Sequence, residues 1–234
     1  MVIGTGLVAG KLSAFKEDDS VLVFASGVSN SGEQNVEAYK REEDLLMRYS
    51  GIDAKLIYFS TCSIFDPGIQ SSLYVRHKIR IEDLIRKKFK NYLIVRLPLL
   101  ISNAPNPFTF FNFIAQSVLK GTRIRVQKNA WRYIFDVDDL VTYLPFLISD
   151  MDAPGGIVNM AYSNAMPVHD LIALFEEIAG REAPKELVEE GRFYDFDRSV
   201  FEQVLEKKGV VFNKDQYNRN VLIKYLDKLK QSPL

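Results

Sequence analysis

Hydrophobic residues in the first hundred positions follow two alternating patterns. Short, nearly continuous apolar runs are typical of strands covered on both faces. Longer segments with apolar residues three or four positions apart are typical of amphipathic helices. The predicted strands are Met1–Ile3, Ser20–Ala25, Ala54–Ser60 and Tyr92–Leu97, and the predicted helices between them are Leu7–Phe15, Asn35–Ser50 and Tyr74–Phe89. Alternating strands and helices predict an α/β fold with a parallel sheet and right-handed crossovers.

The second half of the chain has a different, mostly helical pattern. It predicts helices over Phe108–Lys120, Val137–Ile148, Val168–Ala179, Phe196–Lys208 and Gln216–Lys230, and short strands over Arg123–Gln127 and Tyr133–Asp136. The clearest break is Pro154-Gly155-Gly156, since proline and glycine interrupt regular structure. We therefore predict a sheet domain over residues 1–153 and a small, mostly helical region over 154–234 packed on it.

Composition and charge narrow the classes of function. The 234 residues can bury a core without disulfides. Thirty basic and thirty acidic side chains cancel, which argues against a bulk nucleic-acid or membrane-surface role. The single cysteine, Cys62, cannot form an internal disulfide and fits a cytoplasmic protein. Two histidines and one cysteine show no metal-ligand spacing, so we expect no metal site.

A glycine turn lies where the first strand meets the first helix, in the sequence GTGLVAG. Backbone N–H groups at such a turn can hold a pyrophosphate, and glycines allow its close approach. The candidate residues are Gly4, Thr5, Gly6, Leu7 and Val8. The alternative is a tight turn without a ligand, because the second strand ends in Ala25-Ser26-Gly27 and lacks the acid that usually holds an adenosine ribose.

Tyr74 and Lys78 are four positions apart and share one face of a predicted helix. An ammonium near a phenol lowers the pKa of the phenol, which suits proton transfer between an alcohol and a carbonyl. Thr61 ends the preceding strand, at the carboxyl edge of the sheet where ligands bind in such folds. A Tyr/Lys pair on a basic helix is common by chance. Here, however, the pair follows the glycine turn and a strand that ends in Ser/Thr, and this order along the chain favours a catalytic site.

In this order, the segments resemble the extended short-chain dehydrogenase/reductases, of the nucleotide-sugar epimerase, dehydratase and 4-keto-reductase type. The segments that carry the resemblance are VLVFASGVSNSGEQNVEAYKREEDLL, YFSTCSIFD, YVRHK, LIVRLPLLI and RYIFDVDDLV. The later GGIVNMAYSNAMPVHDLIALFEEIAG and DFDRSVFEQVLEKKGV resemble the substrate-side annex of that family. The likeness covers nearly the whole chain, and YVRHK, as a YxxxK motif, is most specific together with RYIFDVDDL.

The resemblance implies a Rossmann-like sheet with helices on both faces, NAD or NADP as cofactor, and a nucleotide-linked sugar as substrate. It implies catalytic roles for Thr61, Tyr74 and Lys78, with Lys78 also orienting the nicotinamide ribose. The implied cofactor residues are Gly4, Thr5, Gly6, Leu7, Val8, Ala25, Ser26, Lys78 and Pro98, and the implied substrate residues are Ser63, Asn106, Phe108 and Arg132. It also implies a homodimer formed through the helices at 36–49 and 74–88.

The chain departs from the family between Gly10 and Ser20, where only nine residues lie. A strand–helix–strand unit takes roughly 30 residues, so we predict that the second and third strands of the family are absent. Their loss removes the wall for the adenosine half of the cofactor. The connection from Thr61 to Tyr74 is also shorter than in the family, which puts the usual geometry between these two residues in question.

Two functions remain open at this point. One is an NAD(P)-dependent reductase or epimerase with a reduced cofactor site, and the other is a degenerate relative that binds a nucleotide or nucleotide-sugar without turnover. The joint presence of Thr61, Tyr74 and Lys78 favours the enzyme. His77 is interpreted as a solvated side chain, and the aromatic stretch at 106–113 is either core or interface, or a stacking wall for a base.

Overall fold

The structure is a computed structural model that describes residues 1–102, 109–150, 155–161, 165–211 and 213–231. The helices are α1 (Leu7–Lys11), α2 (Val36–Met47), α3 (Leu73–Lys88), α4 (Phe110–Lys120), α5 (Val137–Asp150), α6 (Val168–Ala179), α7 (Ser199–Lys207) and α8 (Lys214–Gln231). The strands are β1 (Val2–Ile3), β2 (Val21–Phe24), β3 (Lys55–Thr61), β4 (Tyr92–Leu97), β5 (Leu99–Ile101), β6 (Ile124–Gln127), β7 (Trp131–Arg132), β8 (Ile134–Asp136), β9 (Gly155–Asn159), β10 (Met166–Pro167) and β11 (Lys185–Val188).

The chain divides into two compact units that interleave along the sequence. The first comprises residues 1–97, 138–160 and 196–210, and the second comprises residues 98–137, 161–195 and 211–234. The boundary predicted at residue 154 adjoins residues 151–154, which lie outside the described part of the chain. The predicted division at that position stays a prediction.

The first unit contains a parallel sheet with the strand order β1-β2-β3-β4-β9. A doubly wound sheet of the dinucleotide-binding type has the order 3-2-1-4-5-6. The observed order is that of such a sheet without its second and third strands and with one further strand, β9, beside β4, so that β1 lies at the edge. Only α1 and a short 3₁₀ helix, Ser13–Phe15, separate β1 from β2. The predicted shortened Rossmann-like sheet, flanked by helices, is confirmed.

The core of this sheet is built from the continuous apolar runs. All four residues of β2 are buried, and so are six of the seven in β3. One cluster joins Leu22 and Leu56 on the strands to Leu46 on α2 and Ile81 on α3. Burial of each such side chain stabilises the fold by about 1.5–3 kcal/mol. The core thus fastens α2 and α3 to the middle of the sheet.

Polar caps fix where α2 and α3 begin. The Asn35 side chain accepts a hydrogen bond from the N–H of Glu37 at 3.0 Å, and the Ser72 side chain accepts one from the N–H of Val75 at 3.2 Å. Each cap satisfies an N–H group that has no partner within the helix and is worth about 1 kcal/mol. The cap of α3 also fixes the position of Tyr74, because this residue lies in the first turn of the helix.

The second unit contains three small strand pairs and the helices α4, α6 and α8. β5 pairs with β8 and β6 with β11, both parallel, and β7 pairs antiparallel with β10. Asp136, at the end of β8, accepts hydrogen bonds from Tyr225 and Lys224 of α8 at 2.6 Å. Gly180 closes α6 in the left-handed region, with φ +66°, directly after the helix predicted over Val168–Ala179.

Sequence patterns did not predict every strand. The segment Gly155–Asn159, which the prediction assigned to the helical region, is a strand that pairs with β4. Its first two residues are glycines, and the sequence pattern there indicated an interruption of regular structure. Among the described residues, no helix has both the length and the apolar character needed to cross a membrane. The described residues also contain no group of three or more His, Cys, Asp or Glu arranged to hold a metal ion.

Candidate active site

Thr61 and Tyr74 meet at the carboxyl edge of the sheet in the first unit. Thr61 is the last residue of β3, and Tyr74 is held in the first turn of α3 by the Ser72 cap. The Thr61 side chain lies close enough to the Tyr74 hydroxyl to act on its pKa. The Thr61 hydroxyl also accepts the N–H of Ser63 at 3.0 Å. The short connection between the two residues therefore still brings their hydroxyl groups together.

The electrostatic surroundings of Tyr74 differ from the sequence-based prediction. The side chain is only 8% exposed, and burial raises the pKa of Tyr74 to about 12. Thr61 works in the opposite direction and lowers the pKa of Tyr74, whereas the charge of Glu42 raises it further. We had expected Lys78 to lower this pKa. That expectation is wrong, because burial has the largest influence on this hydroxyl and raises its pKa.

Lys78 is buried, with 2% of its surface exposed. Its Nζ lies 3.1 Å from Glu42 Oε1 and donates to the Tyr58 hydroxyl at 3.0 Å. It also lies 5.9 Å from the centroid of the Tyr74 ring. The ammonium is thus near Tyr74, but its hydrogen bonds run inward to α2 and β3.

Glu42 is the centre of this network and is fully buried. Tyr58 donates to its Oε1 at 2.6 Å, and the N–H of Val28 donates to its Oε2 at 2.6 Å. Burial opposes ionisation of the carboxyl, but Lys78, His77 and these two donors outweigh it and lower the pKa of Glu42 to about 2. The pair is therefore an ionised carboxylate and an ammonium, packed below the loop that follows β2.

His77 does not lie in solvent, as the sequence interpretation had it. It is 7% exposed, its ring centroid is 4.7 Å from that of Tyr39, and its Nε2 is 3.1 Å from Glu42 Oε2. This atom is at ion-pair distance from the carboxylate but is not aligned for a hydrogen bond. The interpretation was wrong because α3 is covered by α2 on this face.

The glycine turn divides into a structural part and an open part. Gly4 has φ +130°, and a Cβ there would lie 2.3 Å from the carbonyl oxygen of Ala25. Only glycine allows this close approach of the β1 end to the β2 end. At Gly6 and Gly10, by contrast, an added Cβ would meet no atom within 4 Å. The open space lies on the exposed side of the turn, beside the exposed Thr5.

The other predicted cofactor residues follow the ends of neighbouring strands. Ala25 and Ser26 come directly after β2, and Pro98 comes directly after β4. Leu7 and Val8 form the first turn of α1, whose N-cap is Gly6. Ser26 is engaged by Arg41 of α2, which donates to its hydroxyl at 3.2 Å and to its carbonyl at 2.9 Å. Because carboxyl ends of parallel strands share an edge, Gly4, Ala25 and Thr61 lie along the same edge.

The predicted substrate residues are less fully described. Ser63 lies in the 3₁₀ helix Cys62–Phe65 directly after Thr61 and is half-buried. Arg132 belongs to the second unit, on β7, and donates to the carbonyl of Trp131 at 2.8 Å. Asn106 and Phe108 lie outside the described residues.

A second buried carboxylate, Glu82, lies one turn beyond Lys78 on α3. Ser60 donates to its Oε1 at 2.6 Å, and Arg96 donates to both carboxylate oxygens at 2.9 and 2.5 Å. Arg86 adds a longer contact of 3.2 Å. Burial raises the pKa of the neighbouring Cys62 thiol, which donates to the carbonyl of Arg96 and is no candidate nucleophile.

Sequence reasoning did not single out Glu42 or Tyr58. A signal was present for Glu42, since it lies between Tyr39 and Leu46 on the apolar face of its helix, at spacings of three and four. Tyr58 lies within a continuous buried run, where a tyrosine hydroxyl needs a partner. The burial of Glu42 and of Tyr58 is explained only by the contacts that the two side chains make with each other and with Lys78.

The residues fit part of the NAD(P) cofactor that the resemblance implies. The open space at Gly6, at the start of α1, fits a pyrophosphate. The lysine contact to the nicotinamide ribose does not fit, because the Lys78 ammonium bonds to Glu42 and Tyr58 and is buried. No strand lies beyond β1 in the sheet of the described residues, so the usual wall for the adenosine half is also absent.

Comparison with known proteins gives similarity in structure only. No protein-family profile and no curated protein sequence matches the chain. A UDP-glucuronic acid 4-epimerase from Bacillus cereus, solved with UDP-glucuronic acid and NAD, is 18% identical, with a TM-score of 0.72 over 93% of this chain and 78% of that one. A dTDP-4-dehydrorhamnose reductase from Clostridium acetobutylicum is 16% identical, with a TM-score of 0.68 over 95% of this chain and 86% of that one.

A third solved structure, RMD from Pseudomonas aeruginosa with NADPH, is 14% identical, with a TM-score of 0.68 over 97% of this chain and 98% of its own. The two enzymes named above are an epimerase and a reductase of sugar nucleotides, as the sequence resemblance implied. At these identities the likeness establishes the fold. The chain therefore has the Rossmann-like fold of these solved structures.

Proposed function

We propose that this chain is an NAD(P)-dependent reductase or epimerase of a nucleotide-linked sugar. The observation that carries the proposal is the closeness of the Thr61 and Tyr74 side chains at the carboxyl end of β3. Ligands bind at this edge in folds of this type. Structural neighbours with NAD or NADPH and with a UDP-sugar support the same class of activity.

In this proposal, Tyr74 exchanges a proton with an oxygen of the sugar, and Thr61 hydrogen-bonds the reacting oxygen. Gly6, with the backbone of Thr5 and Leu7, holds the cofactor pyrophosphate. The nicotinamide supplies or accepts hydride when bound. Ser63 and Arg132 are proposed as substrate contacts. Lys78 has the role that differs most from the one implied by the resemblance, because its ammonium contacts Glu42 and Tyr58 and not a ribose.

Calorimetric titration with NAD, NADH, NADP and NADPH tests the cofactor site. Gly6→Val is the informative variant, since a Cβ at Gly6 meets no protein atom and the added side chain fills only the space proposed for phosphate. Gly51→Val is the matched control, because Gly51 is also open but precedes β3 at the opposite edge of the sheet. We expect saturable binding that Gly6→Val abolishes and Gly51→Val leaves unchanged. Absence of binding by every form would refute the dinucleotide site.

A second function is favoured by one specific observation. Lys78 is hydrogen-bonded to Glu42, and in the described residues the sheet ends at β1. The usual lysine contact to the nicotinamide ribose and the usual wall for the adenosine half are therefore both missing. A chain of this kind could bind a nucleotide or nucleotide-sugar without turnover, as a regulator or subunit. Saturable binding of a UDP-sugar without binding of any dinucleotide would favour this second function over the first.

We also propose a homodimer formed through α2 and α3. Val36 on α2 is 63% exposed and Ile79 on α3 is 41% exposed, so each helix presents a large apolar side chain at the surface. Light scattering tests the assembly. A monomer mass that does not change with concentration would rule the dimer out, and Ile79→Glu should shift a dimer toward monomer.

A further inference from the structure

We propose that Arg41 of α2 supplies the cation of a diphosphate-binding site at the carboxyl edge of the sheet, beside the glycine turn at residues 4–6. The shared chemistry is the diphosphate group, which a nucleoside diphosphate, a nucleotide-linked sugar and a dinucleotide all contain. The inference deepens the proposed function and rests on it for the place of the ligand. It involves no chemical step, so it can be tested by binding alone.

The Arg41 side chain reaches from its helix to the end of a neighbouring strand. Arg41 lies in the second turn of α2, and its two terminal nitrogens donate to the Ser26 hydroxyl at 3.2 Å and to the Ser26 carbonyl at 2.9 Å. Ser26 follows the end of β2. The guanidinium is therefore held at the edge of the sheet where ligands bind in folds of this type.

The positive charge of Arg41 is not offset by a carboxylate. Glu37 lies one turn earlier on α2, and Asp44 lies three positions later. Even so, no carboxylate of the described residues is at ion-pair distance from the Arg41 guanidinium, and its hydrogen bonds go to Ser26. Both acceptors on Ser26 are neutral. The charge and the remaining N–H groups of the guanidinium are thus available to an anion.

Two other cations near the turn are already paired. Lys11, the last residue of α1, donates to Asp138 Oδ1 at 2.7 Å. Lys78 is buried and lies 3.1 Å from Glu42 Oε1. Arg41 differs from both, because it is exposed and its partner is an uncharged residue.

The glycine turn lies directly against Ser26. A Cβ at Gly4 would be 2.3 Å from the carbonyl oxygen of Ala25 and 3.1 Å from the backbone nitrogen of Ser26. At Gly6, an added Cβ would meet no atom within 4 Å, so space remains beside the turn. Neighbouring strands are about 4.8 Å apart, a separation that the two phosphates of a diphosphate can bridge. We therefore assign one phosphate to the backbone of the turn and the other to Arg41.

Such a site does not depend on a strand beyond β1. In the described residues β1 is the edge of the sheet, whereas the turn and Arg41 are both present and bind the centre of the ligand. Most of the affinity should then come from the charged diphosphate, so it should fall as salt screens the charges.

Calorimetric titration with inorganic pyrophosphate tests the assignment. Arg41→Met should weaken binding by about tenfold or more, because bonds between charged groups are the strong ones. Lys40→Met is the matched control, since Lys40 is the adjacent exposed cation on α2 and the change in charge is the same. We expect the control to bind as the native chain does. Equal affinity of Arg41→Met and the native chain, or no binding by the native chain, would overturn the proposal.

Inorganic phosphate separates a diphosphate site from a site for one anion. It can reach the turn or Arg41 but cannot bridge them, so it should bind at least about tenfold more weakly than pyrophosphate. Equal affinities for the two anions would overturn the assignment of a diphosphate.

Amide resonances of the native chain report where pyrophosphate binds. The N–H signals of Gly6 and Ser26 should shift during the titration. Gly51 is also open but precedes β3 at the opposite edge of the sheet, so its signal should stay in place. A titration that moves neither Gly6 nor Ser26 would show that the anion binds elsewhere and would overturn the proposal.

Titrations with UDP, a UDP-sugar and NAD identify the source of the diphosphate. Each of them that binds should bind more weakly to Arg41→Met than to the native chain. If pyrophosphate and UDP bind through Arg41 but no dinucleotide binds, the proposed reductase or epimerase function fails and the Arg41 site stands. If NAD binds equally well to the native chain and to Arg41→Met, the proposed function stands and the Arg41 site is overturned.

Discussion

Glu42 and Glu82 are two buried carboxylates built on the same plan, and they differ in the cation that each one holds. Both accept a hydroxyl group from β3 at 2.6 Å, from Tyr58 and Ser60, which are two positions apart and therefore face the same side of the sheet. Glu82 is paired with Arg96, whose side chain is 14% exposed, and has Arg86 as a second contact. Glu42 is paired with Lys78, whose side chain is 3% exposed.

The two ion pairs differ in role. Glu82 and Arg96 hold β4 against α3, whereas Glu42 and Lys78 place opposite charges close to Tyr74. Arg96 spans both oxygens of Glu82, and such bidentate pairing fixes geometry and joins β4 to α3. Lys78 makes one bond to Glu42 and one to Tyr58, close to Tyr74. Glu82 has a second guanidinium beside it, that of Arg86, whereas the second basic side chain beside Glu42 is the imidazole of His77, at 3.1 Å. Four measurements test this difference between the two ion pairs.

The largest effect is expected from removal of a cation. Lys78→Met leaves Glu42 buried without its ammonium and should lower the free energy of unfolding by about 3–5 kcal/mol. Arg96→Met should cost less, because Arg86 remains beside Glu82. Urea unfolding of the two variants measures both. Equal losses would mean that the two networks do not differ in the way described.

Acid should destabilise the fold through Glu42. Its pKa falls from 4.5 to about 2 on folding, so its contribution is present above pH 4.5 and is lost as the pH falls toward 2. A shift of this size corresponds to about 3 kcal/mol. Urea unfolding at pH values across this window should show the loss in the native chain and a flatter profile in Glu42→Gln. The same slope in both proteins would contradict the assignment.

The strand hydroxyls should have intermediate effects. Tyr58→Phe removes one donor from an ionised, buried carboxylate and should cost about 1.5–3 kcal/mol. Ser60→Ala removes the corresponding donor from Glu82, and we expect the smaller loss there, since Arg96 still contacts both oxygens. Thermal unfolding of the two variants compares them. A larger loss for Ser60→Ala would reverse the proposed order.

The smallest effect is expected at a surface pair between the same two helices. Arg80 on α3 contacts Glu43 on α2 at 2.8 Å, but its side chain is 70% exposed. Arg80→Met should change the free energy of unfolding by less than about 1 kcal/mol. It is the matched control for Lys78→Met, because both substitutions remove a cation of α3 that faces α2. A loss comparable to that of Lys78→Met would show that charge alone, without burial, decides the effect.

The sheet could be predicted from sequence because burial on both faces leaves a continuous apolar run. β2, β3 and β4 all have this pattern, and nine residues between Gly10 and Ser20 are too few for two further strands. β9 was missed because Gly155 and Gly156 open it, and their lack of side chains is explained by a neighbour in β4: a Cβ at Gly155 would lie 2.8 Å from the Tyr92 ring. That contact joins residues 63 positions apart.

Thr61, Tyr74 and Lys78 could be proposed as a group because their order along the chain was informative. Their electrostatic relation could not be predicted, since it depends on a carboxylate from another helix. The spacing of Glu42 places it on the buried face of α2, but which cation it meets depends on how α2 packs against α3. Long-range pairing of this kind leaves no local pattern in a single sequence.

The distance along the chain between β4 and β9 bears on how the protein is made. β1 to β4 are all complete by residue 97, whereas β9 ends at residue 159. Until β9 is synthesised, the apolar β4 presents an unpaired edge, and such an edge can pair with another nascent chain. The β4–β9 register also closes a loop nearly twice as long as β3–β4, at an added entropic cost of about 0.6 kcal/mol. The growing chain on the ribosome therefore exposes an edge of β4 that β9 covers in the finished protein.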